Sequence, residues 1–183
     1  RLADNRDLQI GAYLYSQATP MVSAKYRELT GNGAYQVTGY ATHSRRIDTD
    51  SLTAQDQQDF RGYIAANGRF ILDENWQFTG STRLASDRTF LRRYDISRDD
   101  RLRTMAELER IDKDSYFVIA GFATQTLRLD REQGEIPLAL PLIDYRRRID
   151  EPLLGGTVTL RGNSLAITRD EGQDTQRALA SAQ

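Results

Sequence analysis

Apolar and polar residues alternate along this chain in long runs, and a period of two sends alternate side chains to opposite faces of a strand. From Phe60 to Leu72 the even positions are Phe60, Gly62, Ile64, Ala66, Gly68, Phe70 and Leu72, all apolar or glycine, whereas the odd ones include Arg61, Tyr63, Asn67 and Arg69. Trp76 to Ser86 sets Trp76, Phe78, Gly80 and Leu84 against Gln77, Thr79, Ser81 and Arg83. Arg101 to Arg110 sets Arg101, Arg103, Glu107 and Glu109 against Leu102, Ala106 and Leu108. No long run has a helical period, so the chain reads as all-β.

Turn residues divide the runs. Thr30-Gly31-Asn32-Gly33 predicts a tight hairpin, with Gly and Asn able to take positive φ. Asp73-Glu74-Asn75 and Asp112-Lys113-Asp114 read as further short turns. About ten strands follow, near 8–16, 21–29, 34–44, 60–72, 76–86, 101–112, 115–129, 138–148, 155–169 and 175–183. The stretches 45–59 and 87–100 read as longer charged loops, with one helical turn over 50–58 capped by Asp50 or Ser51. Pro137 and Pro141 put the run Leu138–Ile143 at a strand start, an edge or a bulge, because proline has no N–H for a ladder. Val158 and Leu160 differ in parity from Leu165 and Ile167, which predicts a bulge or bend near Gly162-Asn163.

Soluble strands usually have about five or six residues, and several of these are much longer. A membrane-spanning strand needs roughly 9–11. Short turns alternate with long polar loops, and Trp76, Tyr116 and Tyr145 lie near strand ends, where an aromatic girdle would sit. The reading is an antiparallel meander of about ten long strands, residues 1–183 forming part of a large transmembrane β-barrel. Both ends read as cut, so the chain is expected to be a fragment of a longer one. A soluble β-sandwich would also explain the alternation. Low mean hydropathy does not oppose a barrel, since half of each strand would face a polar lumen.

Composition narrows the chemistry. There are 25 basic and 26 acidic side chains, net charge −1, which speaks against nucleic acid as a partner. With no cysteine, disulfides, thiolate metal sites and a cysteine nucleophile are excluded, and the single His43 excludes a multi-histidine metal site. No metal or cofactor is expected. Glu107 and Glu109, two apart on a strand, would have Cβ atoms about 7 Å apart, within reach of glycosidase geometry. A charged face balanced by Arg101 and Arg103 is the plainer account. His43, Ser44 and Asp48 could be drawn as a triad, but no Gly-x-Ser-x-Gly turn supports it. Gly155-Gly156 opens a strand and not a helix, so it is no phosphate loop. The runs Arg45-Arg46, Arg92-Arg93 and Arg146-Arg147-Arg148 could meet phosphates, or simply pair with Asp95, Asp144 and Asp150. No enzyme emerges.

The order of motifs resembles the barrel region of the LPS-assembly outer-membrane proteins, the LptD family. The stretches that carry the resemblance begin with Asn5-Arg6-Asp7-Leu8, Tyr26-Arg27-Glu28-Leu29 with Gly33, Gly68-Arg69-Phe70 and Asn75-Trp76. They continue through Ser86-Asp87-Arg88-Thr89-Phe90-Leu91-Arg92-Arg93-Tyr94, Asp100-Arg101-Leu102, Leu140-Pro141-Leu142-Ile143-Asp144-Tyr145 and Leu154-Gly155-Gly156. The last is Thr168-Arg169-Asp170-Glu171-Gly172 with Asp174 and Arg177. The resemblance implies a cell outer membrane location and a non-enzymatic role in inserting lipopolysaccharide into the outer leaflet. It implies lipopolysaccharide and membrane lipid as contacts, a lipoprotein plug in the barrel, and a periplasmic bridge protein reached through a jellyroll domain outside this chain. Where some members have a gate proline in the early strand, this chain has Ala12, so that device is not implied. The candidate lumen-facing polar residues are Arg101, Arg103, Glu107 and Glu109, because arginine at a bilayer midplane costs about 2–4 kcal/mol on a barrel. Alternatives are another porin-like barrel, or a soluble sandwich that binds carbohydrate.

Overall fold

A computed structural model of the chain describes residues 1–47, 54–150 and 155–183. Its strands are β1 (Arg6–Tyr13), β2 (Met21–Thr30), β3 (Gly33–Ile47), β4 (Ala54–Ile71), β5 (Trp76–Ala85), β6 (Arg101–Ile111), β7 (Ser115–Thr126), β8 (Leu138–Asp150), β9 (Thr157–Thr168) and β10 (Thr175–Ala182). They pair antiparallel in chain order as a single sheet from β1 to β10, which are its two edges. A sandwich would need a second sheet packed on the first, and among the described residues there is one sheet. The architecture is the all-β meander, and it is consistent with part of a barrel wall.

Two kinds of connection alternate. At one end of the sheet the turns are Gly31–Asn32, Leu72–Asn75 and Asp112–Asp114. At the other end lie the longer segments 14–20, 86–100 and 127–137. The 31–32 hairpin forms as expected, but for a different reason. None of Gly31, Asn32 and Gly33 has positive φ. The Thr30 hydroxyl instead bonds Asn32 Oδ1 and the Gly33 carbonyl, each at 3.0 Å. Gly33 is required by proximity, since a Cβ there would stand 2.2 Å from the Arg69 carbonyl oxygen.

Three local expectations change. The 45–59 segment is mostly strand: β3 runs to Ile47 and β4 starts at Ala54, so no helical turn occupies 54–58, and 48–53 lie outside the described residues. The 86–100 segment carries a helical turn, α1 (Phe90–Arg93). The predicted bulge near Gly162-Asn163 is absent, for β9 and β10 stay in register throughout. The irregularity lies on β8 between Ala139 and Leu142, around Pro141, where both its ladders shift. Leu165 pairs with Leu142 and Ile167 with Ala139, so the polar face itself turns apolar there. Pro137 directly precedes β8.

The β5–β6 ladder stops at Ser81–Met105. Beyond it the strands are joined by side chains. Thr82 and Thr104 hydroxyls bond at 3.1 Å. From β7 the Gln125 side chain reaches past β6 to β5, where its oxygen accepts from Ala85 N at 2.9 Å and its nitrogen donates to Ala85 O at 2.8 Å. Leu102, on the apolar face by alternation, is fully buried here and joins the core.

Candidate functional site

Residues paired across strands share a face, so the register carries each face through the sheet. One row runs Ile10, Ala24, Gly39, Ile64, Leu84. Another runs Gly68, Gly80, Ala106, Gly121. This face is apolar and open: Ile10 is 77% and Phe60 63% exposed. Near the short turns it carries an aromatic band. Tyr26 and Tyr35 rings lie 5.9 Å apart, Tyr35 and Phe70 6.2 Å, and Trp76 and Phe117 6.0 Å, with Tyr145 opposite Phe117. Trp76 and Tyr145 thus belong to the band. Tyr116 does not: it lies on the opposite face, 5.6 Å under the Arg146 guanidinium.

The other face is polar. Arg101, Arg103, Glu107 and Glu109 all lie on it, as alternation requires. They do not neutralise one another, and no ion pair joins them among the described residues. Arg103 stacks 4.3 Å from the Phe122 ring centre, and Gln77 Nε2 donates to Glu109 Oε2 at 3.2 Å. The same face holds Asp7–Arg27 and Asp144–Arg146 pairs. The arginine runs follow the plain reading: Arg46 meets Asp59, Arg92 meets Asp100, and Arg148 meets Asp150. His43 Nδ1 lies 3.2 Å from Gln58 Oε1. Ser44 is the next residue of the same strand and faces the other way, so the two cannot cooperate; Asp48 lies outside the described residues.

Near the long loops, segment 86–100 folds onto the polar face. Phe90 and Leu91 of α1 are fully buried with Tyr94 against Met21, Tyr63, Ala85, Leu102 and Leu127. Burying such side chains stabilises by roughly 1.5–3 kcal/mol each. The segment is tied at both ends. Arg61, fully buried on β4, donates through Nε and Nη2 to the two Asp87 oxygens, both at 2.8 Å. It also reaches Thr89 Oγ1 at 2.9 Å and the Arg45 carbonyl at 3.1 Å. At the far end Arg83 pairs with Asp99 and bonds the Tyr63 hydroxyl at 2.8 Å. Between them the Tyr94 hydroxyl meets Thr19 Oγ1 at 3.0 Å, which draws in segment 14–20. Burial alone would raise the Asp87 pKa, but the Arg61 guanidinium and the Thr89 hydroxyl and amide outweigh it and hold the carboxyl below its ordinary value.

The Arg61–Asp87 tie escaped the sequence reading. Arg61 is one more odd-position polar residue of β4, and only the fold of a segment 26 residues away buries it. The signal that existed was Asp87-Arg88-Thr89 ahead of the apolar pair Phe90-Leu91 inside a charged loop.

No curated protein matches the chain. A family model described as LPS transport system D matches residues 59–183, well over half of the chain. That span contains the tied segment, the charged β6 face and most of the aromatic band. The chain therefore belongs to the LPS transport system D family, outer-membrane proteins of lipopolysaccharide transport and assembly.

Proposed function

We propose that this chain is a wall segment of the outer-membrane translocon that inserts lipopolysaccharide into the outer leaflet, without covalent chemistry. The observation that carries this is the two-faced sheet. Its exposed apolar face with an aromatic band is what a bilayer covers, and its charged reverse is what a wet lumen needs. Arg101, Arg103, Glu107 and Glu109 then line the lumen. Outer-membrane barrels have short periplasmic turns and longer outer loops, so the 31–32, 72–75 and 112–114 turns lie on the periplasmic side and segment 86–100 on the outer side. There it covers part of the lumen mouth. The lipoprotein plug and the periplasmic bridge protein are the partners this role calls for. Family membership favours this over a solute porin.

The test uses the complete parent chain. Its membrane fraction is run on gels with and without boiling, and surface lipopolysaccharide is followed on depletion. A heat-dependent mobility shift together with loss of surface lipopolysaccharide is expected. A soluble periplasmic product without a shift overturns the reading.

A further inference from the structure

The short-turn end of the apolar face holds a small polar pocket. It has a volume of about 260 Å³ and is lined by Arg110, Asp112, Asp114, Ser115, Tyr145 and Arg147. Register fixes the layout: Arg110 lies opposite Phe117, Phe117 opposite Tyr145, and Ser115 opposite Arg147. The two guanidinium side chains therefore start on either side of β7, beside the aromatic band. Turn 112–114 closes the pocket. The Asp112 amide donates to the Ser115 carbonyl and the Arg148 amide to the Asp114 carbonyl, each at 2.8 Å.

The charges are unevenly committed. Asp112 accepts from Arg110 Nη2 with one oxygen and from the Lys113 amide with the other, both at 2.8 Å. Arg147 and Asp114 enter no ion pair among the described residues. One small polar pocket thus offers a cation and a carboxylate at the edge of an apolar wall. Its complement is a zwitterion with a phosphate and an ammonium a few ångströms apart. A headgroup carrying only negative charge would satisfy Arg147 but leave the Asp114 carboxylate without a cation, since Asp112 is already held by Arg110. Arginine is also cheap at this depth, costing about 0–1 kcal/mol near a membrane interface.

We propose that this pocket seats the headgroup of a zwitterionic phospholipid, with the phosphate on Arg147 and Arg110, the ammonium on Asp114, and the acyl chains along the apolar wall. The proposal rests on the membrane-wall reading, which puts this end in the phospholipid leaflet on the periplasmic side. Guanidinium groups suit phosphate because they donate bidentately.

The full-length complex in detergent is titrated with phosphatidylethanolamine, phosphatidylglycerol or free phosphoethanolamine, and bound adducts are counted by native mass spectrometry. Phosphatidylethanolamine should be retained over phosphatidylglycerol, and free phosphoethanolamine should not displace it. Arg147→Gln should lower phosphatidylethanolamine retention about tenfold, the scale of one charge-assisted hydrogen bond. Asp114→Asn should move the preference toward phosphatidylglycerol. Undiminished retention in Arg147→Gln, or an unchanged preference in Asp114→Asn, overturns the proposal. Displacement by free phosphoethanolamine would overturn the lipid as the occupant. The heat-dependent gel shift is read on every sample: its presence with no change in lipid retention defeats the pocket alone, and its absence in the unaltered protein defeats the wall reading.

Discussion

On β2 to β6, near the long loops, the polar face is covered by α1, and Arg61, Phe90 and Leu91 have no exposed surface. On β10, an edge strand paired only with β9, every residue but Ser181 is exposed, although its ladder keeps an unbroken register. β4 has a ladder on each side and β10 on one, but a ladder pairs main-chain groups and leaves both faces of a strand open, so it does not account for the burial of Arg61. What differs is a segment long enough to fold back and a buried cation placed to receive it. A ladder orders a strand, and side-chain packing decides how tightly a region of this wall is held.

The comparison breaks first at Arg61. Arg61→Met leaves the Asp87 carboxylate without its partner, which costs about 3–5 kcal/mol for a buried pair. Hydrogen exchange of the Tyr94 and Ile96 amides, bonded to Phe90 O and Leu91 O, should accelerate accordingly, while amides of β10 keep their rates. Equal acceleration in both regions would show that the tie serves the whole sheet. Leu91→Ala should cost about 2–5 kcal/mol by transfer and cavity terms, read as faster proteolysis within 86–100.

Acid gives a reversible version. The folded Asp87 pKa is depressed, so its contribution is complete above the unfolded carboxylate value of about 3.9 and is lost as pH falls through the lower folded value. Protection of segment 86–100 should hold down to about pH 4 and fail only below it. Loosening between neutrality and mild acid would assign the control to another group.

Gly33→Ala forces a backbone contact at 2.2 Å and should cost about 1–3 kcal/mol as overpacking does. Gly31→Ala meets nothing within 4 Å and should be nearly silent in the same thermal assay. The smallest effect belongs to the bare region: Leu179→Ala, half exposed on β10, should stay within about 0.5 kcal/mol. A larger loss there would mean that this edge is covered in the assembled protein.

The strands were legible because alternation is local. Runs read at 76–86 and 101–112 form as Trp76–Ala85 and Arg101–Ile111. The shared face of Arg101, Arg103, Glu107 and Glu109 followed from parity alone. Depth was not legible, since Arg61 and Arg69 look alike in sequence and only one is buried. Nor could parity show which strand was irregular. The switch at Leu165 and Ile167 was real, but it answers Leu142 and Ala139 across the ladder, and the extra residue sits on β8. Tyr116 was misassigned for the same kind of reason: nearness to a strand end does not say which face a ring takes.

The clasp of Gln125 on the Ala85 backbone bears on how such a wall would come apart. Elsewhere neighbouring strands are held by a repeating series of main-chain bonds, where losing one leaves the next in place. Above Ser81 and Met105, β5 meets β6 through the Thr82 and Thr104 hydroxyls and the Arg83 amide on Thr104, and β7 holds β5 through one glutamine amide. A single rotamer change of Gln125 would release two bonds at once. Under lateral tension, tearing should therefore begin between β5 and β6 and run toward the short turns, with the Ala85 amide the first to exchange with solvent.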